Sequence, residues 1–148
     1  MGTQRNAWHD TLATLVVKRG VSLGGLPPRE LSLALAMAWA GVPGAPLSER
    51  ELNRVLVNQL AGVAAFLDTD HVELRRWLVD AGWLTRDGYG REYRRVEVAA
   101  LAPEHSALAE TLSALDLPAR VAALNQAQST FREARRQAWQ TSQAGKKA

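Results

Sequence analysis

Cysteine is absent from the 148 residues. That removes disulfides, thiolate zinc sites and cysteine nucleophiles together, and it suits a reducing compartment. Histidine is scarce: His9, His71 and His105 share no metal-ligand spacing. No Gly-x-Ser-x-Gly elbow occurs. Gly24-Gly25 is followed by no Gly-Lys-Ser/Thr, so it reads as a connector and not as a phosphate loop. Glu49 and Glu51 stand two residues apart and so face different sides of a helix, a poor arrangement for paired acid–base work. Asp68, Asp70 and His71 read as turn and capping residues rather than metal ligands. These absences lead us to expect no enzyme, no cofactor and no metal. Long apolar runs are missing too. The stretch around Leu33–Ala40 is too short to span a bilayer, and the polar start Met1–Asn6 lacks the apolar run of a signal peptide. The expectation is a cytoplasmic protein with no membrane association.

Charge of one sign is also lacking. Lysine and arginine number 18 against 15 acids, but they are unevenly placed. The middle of the chain, residues 58–116, is acidic on balance. Residues 117–148 hold six basic groups and only Glu133 in opposition. A polyanion partner is compatible with this, though the footprint is modest for a nucleic-acid binder. The five tryptophans and the ordinary apolar content permit a buried core.

The chain reads as a series of capped helices. Asn6 can cap a first helix that carries Trp8, Leu12, Leu15 and Val16 on one stripe and stops at Gly20. Pro28 opens a second, nearly apolar helix, Arg29–Ala40. Ser48 with Glu51 forms a capping box for a third, with Leu52, Val55 and Leu56 inward. Asp70 with Glu73 caps a fourth, whose inward residues are Leu74, Trp77, Leu78 and Ala81 and whose stop is Gly82. Two short strands follow, Trp83–Arg86 and Glu92–Val96, joined by the turn residues Asp87-Gly88-Tyr89-Gly90. A fifth helix spans Pro103–Leu115. A sixth begins at Pro118 and runs to about Trp139, before a tail.

The stretch 68–98 organises this order. A helix closed by glycine and followed at once by an arginine-bearing hairpin is the sequence form of a winged helix-turn-helix. A helix can enter the major groove, arginine can bind guanine through two hydrogen bonds, and hydroxyls and cations hold phosphates. The candidate nucleic-acid contacts are Ser48, Arg50 and Arg54 on the third helix, with Asn53 beside them. His71, Arg75 and Arg76 follow on the fourth, and Arg86, Arg91, Arg94 and Arg95 on the hairpin. Arginines and acids nearly balance across this stretch, so ion-paired arginines would speak for a protein-contact surface instead. On the last helix, Val121, Leu124, Phe131, Ala138 and Trp139 are candidate oligomer contacts, because an alanine-rich stripe lets another helix approach closely. Its basic end, Arg132, Arg135, Arg136, Lys146 and Lys147, could instead lie along phosphates.

Three further pieces of sequence carry a resemblance. They are Leu47-Ser48-Glu49-Arg50-Glu51-Leu52-Asn53, then Asp70-His71-x-x-Leu74-Arg75-Arg76-x-Leu78-Val79-Asp80, then Leu84-x-Arg86-Asp87 with Tyr93-Arg94. Over about residues 27–97 the chain resembles a bacterial domain-of-unknown-function family that is often linked to helix-turn-helix regulators. The resemblance implies a winged-helix-like fold and a regulatory setting. The expected architecture is mostly α (α+β): a winged-helix-like domain with its N-terminal helix over 1–98, a C-terminal helical extension over 99–140 and a disordered tail over 141–148. The expected role is a DNA-binding transcriptional regulator or accessory protein, non-enzymatic. Its partners would be double-stranded DNA and a second copy through the C-terminal helix. The alternative is a protein-interaction or oligomerisation module that reuses the fold.

Overall fold

The computed structural model describes residues 2–89 and 91–147, with the side chains of residues 2–7, 146 and 147 outside the description. Gly90, expected as a turn residue, lies outside the described residues. The fold is mostly helical with a small antiparallel sheet. In chain order come α1 (Gly2–Leu15), α2 (Pro28–Ala40), β1 (Leu47–Ser48), α3 (Glu49–Leu60), α4 (His71–Asp80), β2 (Leu84–Arg86), β3 (Glu92–Arg95), α5 (Pro103–Ser113) and α6 (Leu117–Lys147).

α2 is the centre. Every residue from Leu33 to Trp39 is buried, as a helix apolar on all sides must be in water. α1 covers it with Leu12 and Leu15, joined by Val16 just past its end, and α5 covers it with Leu108, Ala109 and Leu112. α1 starts at Gly2, so Asn6 is inside the helix and not at its cap. α1 ends at Leu15 and not at the expected stop, and Gly20, with φ of 69°, makes a left-handed turn in the connector beyond it. The connector that follows is more ordered than its glycines suggest. Val21 bridges to Leu67, and Leu23 and Leu26 are buried.

Local signals fix the ends of α3 and α4. The Ser48 hydroxyl accepts from the Glu51 N–H at 3.1 Å, and the Glu51 carboxylate accepts from the Ser48 N–H at 3.1 Å. The hydrogen bonds from the Ser48 backbone and side chain, with the charge of Arg54, hold the Glu51 carboxyl below the usual glutamate range. Its share of the cap is therefore present at neutral pH and is lost as acid carries the pH through that lowered value. Ser48→Ala is expected to cost about 1 kcal/mol in urea denaturation; no change in midpoint would contradict the cap's role. At α4 the Asp70 carboxylate accepts from the Glu73 N–H at 2.8 Å. Glu73 itself accepts from Thr69 and Trp77, so this cap is one-sided. Gly82, with φ of 86°, ends the helix in the conformation glycine tolerates best.

The sheet order is β1-β3-β2. Leu47 pairs with Tyr93, and Leu84, Thr85 and Arg86 pair with Arg95, Arg94 and Tyr93. β1 was not expected as a strand: Leu47-Ser48 reads locally as a helix start, and its partner lies far along the chain. The pairing ties the start of α3 to the hairpin. α6 runs on to Lys147, through the stretch expected as a tail, where glutamine, alanine and lysine favour helix and no proline interrupts. No helix among the described residues is long and apolar enough to cross a membrane.

Candidate nucleic-acid interface

The pleat of the hairpin sorts its arginines. Residues directly opposite in an antiparallel pair point to the same face. Thr85 and Arg94 therefore share the outer face, while Leu84 and Arg95, and Arg86 and Tyr93, share the face turned toward the helices. The four arginines expected to line the wing do not make one surface. Arg91 is exposed near the turn, where its N–H donates to the Asp87 carboxylate at 2.8 Å.

Arg95 is a structural residue rather than a free cation. Its guanidinium lies 3.9 Å from the centre of the Trp39 ring and donates to the Val42 carbonyl at 3.0 Å. Period-two alternation from buried Tyr93 makes Arg94 outward and Arg95 inward.

Arg75 is likewise held. It is half-buried, donates to Asn53 Oδ1 at 2.6 Å and pairs with Glu49 at 3.1 Å. Its guanidinium stands 5.7 Å from the Tyr93 ring. It faces α3, with His71 one turn earlier on the same side. The next stripe of α4, Val72 and Arg76, faces solvent, flanked by exposed Glu73 and Asp80. A shallow cleft of about 390 Å³ brings Arg50, Asn53 and Arg54 of α3 together with His71. Arg50, Arg76 and Arg86 are exposed, and none is in an ion pair among the described residues. Ser48 is engaged in its cap, so its hydroxyl is committed as an acceptor.

The expected oligomer contacts divide along α6. Val121 is buried in the chain's own core, and Leu124 packs against it half-buried. They serve the fold, because the start of α6 lies over the body. From Ser129 onward the described side chains are exposed except Gln143. Phe131 (57% exposed) and Trp139 (63%) stand in solvent with Ala138, among exposed Arg132, Arg135 and Arg136. Lys146 and Lys147 have side chains outside the described residues. Among those residues, no group of three or more His, Asp or Glu could hold a metal ion.

Residues 33–95 match the sequence profile of a family described as an uncharacterized protein conserved in bacteria (DUF2087). The match starts at the buried half of α2 and ends on the last residue of β3, so it includes the whole helix–hairpin unit. The family resemblance read from the sequence is thereby shown. No curated protein and no solved structure matches the chain.

Proposed function

We propose that this chain, which carries a match to that bacterial family at residues 33–95, is a DNA-binding transcriptional regulator or accessory protein of winged helix-turn-helix build. It acts without catalysis, and α4 with the β2–β3 hairpin faces the duplex. The observation that carries the reading is the arrangement around Tyr93. The β1–β3 pairing seats the hairpin against α3 and α4, so that Arg86 and Tyr93 share the helix-facing side of the sheet and Arg75 approaches the Tyr93 ring. Arg50, Arg54 and His71 line a cleft on the neighbouring helices. A helix and a hairpin bearing uncommitted arginines can engage a groove and its flanking phosphates. In this reading Arg75 positions the two helices, Arg95 anchors the hairpin, and Arg50, Arg76 and Arg86 contact DNA. The exposed part of α6 adds basic charge and serves as contact for a second copy.

Fluorescence anisotropy with mixed-sequence duplex at low salt tests this. Wild type is expected to bind with a steep salt dependence. The Arg50→Ala/Arg76→Ala/Arg86→Ala variant is expected to lose roughly 0.9 in log–log salt slope for each phosphate contact removed. An absence of binding by wild type would sink the reading, and an unchanged variant would sink the site. Light scattering on the same samples, with and without duplex, reads the second-copy contact.

A further inference from the structure

Gln59 is the one polar residue in the core among the described residues, nine-tenths buried on α3. Its Nε2 donates to the Ala38 carbonyl at 2.9 Å, in the last turn of α2. Gly41 permits this close approach, since a Cβ there would stand 2.5 Å from Nε2. With the nitrogen committed, Oε1 is fixed as an acceptor, and it is buried without a partner. Arg95 bonds just past the end of that helix, to the Val42 carbonyl, and its Nε is also buried without a partner. The C-terminal end of α2 offsets part of the guanidinium charge, but no carboxylate pairs with it among the described residues. Unpaired buried polar atoms are costly and uncommon in folded proteins. Here two such atoms, one acceptor and one donor, belong to residues that border the same groove.

That groove has a volume of about 920 Å³ and runs between α2–α3 and the α5–α6 junction. Its apolar walls include Met37, Val55, Val63, Leu112, Leu115 and Val121. An apolar cleft of this size with a few convergent polar groups is the usual form of a small-molecule site. We propose that it binds a small amphipathic acid. The apolar body lies on the walls, the acid group accepts from Arg95, and an N–H or O–H next to the acid donates to Gln59 Oε1. This inference is independent of the nucleic-acid reading.

Calorimetry on the full chain tests it with three probes: N-octanoylglycine, its uncharged primary amide, and octanoate, which lacks the N–H. N-Octanoylglycine is expected to bind saturably at one per chain. The amide should be weaker by at least about tenfold, as loss of a charged hydrogen bond implies, and octanoate several-fold weaker. Arg95→Gln is expected to erase the preference for acid over amide. Gln59→Leu is expected to erase the preference for N-octanoylglycine over octanoate. Both variants touch the last turn of α2, so a third keeps the test clean. Ala122→Phe places bulk in the groove from an exposed helix position and is expected to abolish binding while leaving the circular dichroism unchanged. No saturable binding by wild type, equal affinity for acid and amide, or undiminished binding by a folded Ala122→Phe protein would each overturn the proposal. So would a dimer whose dissociation is required for probe binding, because the groove would then belong to a second copy.

Discussion

Trp39→Ala is expected to destabilise the protein by about 3–5 kcal/mol, the range for emptying a large aromatic site in a packed core. The indole is fully buried and does three jobs at once. It packs against Trp83 with ring centres 5.7 Å apart, supports the Arg95 guanidinium on its face, and donates from Nε1 to the Val96 carbonyl at 2.9 Å. Trp83 in turn stacks on His105 with centres 4.4 Å apart. Truncation would leave a cavity between α2 and the hairpin, orphan the Val96 carbonyl and remove the seat of a half-buried charge. A loss of this size is a large fraction of the stability of an ordinary domain, and it should lower Tm by roughly 10–15 °C. Urea denaturation checks it directly: a midpoint within experimental error of wild type would mean that α2 and the hairpin are not joined through this side chain.

Arg75→Ala is expected to cost about 1.5–3 kcal/mol, most of it from the charged hydrogen bond to Asn53. The Glu49 carboxylate is about half exposed, so the ion pair itself adds little, and Glu49→Gln should change stability by less than about 1 kcal/mol. Arg75→Lys is expected to recover only part of the loss, because an ammonium cannot reproduce the fork that reaches Asn53 and Glu49 together. The comparison separates two roles. An arginine that mainly touches DNA would leave stability nearly unchanged when removed. One that sets the packing of α3 on α4 would lower the denaturation midpoint in the absence of any duplex.

What was legible in the sequence was what is local. The Ser48–Glu51 box, the Asp70 cap and the left-handed turn at Gly82 each depend on residues within a few positions of one another, and each is where the pattern placed it. The buried α2 followed from its uninterrupted apolar run. Non-local facts were not legible. A two-residue strand such as Leu47–Ser48 has no periodicity of its own, and only its pairing with β3 makes it a strand. Arg95 looks like every other arginine of the hairpin until the pleat is counted from Tyr93. Gln59 carries no motif, and its importance comes from a bond to Ala38, on another helix. Along α6 the helical period continues smoothly, so the sequence does not mark where the helix ceases to lie on the body. That point separates core residues such as Val121 from exposed ones such as Phe131.

The long α6 also governs how the protein moves through solution. At about 1.5 Å per residue its 31 residues extend to roughly 46 Å, more than the width of a small domain. Hydrodynamic drag is therefore set by a rod as well as by a ball, and tumbling is slower about axes across the rod than along it. Backbone amides in the exposed part lack a packed neighbour to hold the helix closed. They should exchange with solvent well before those of α2, whose residues Leu33 to Trp39 are all buried.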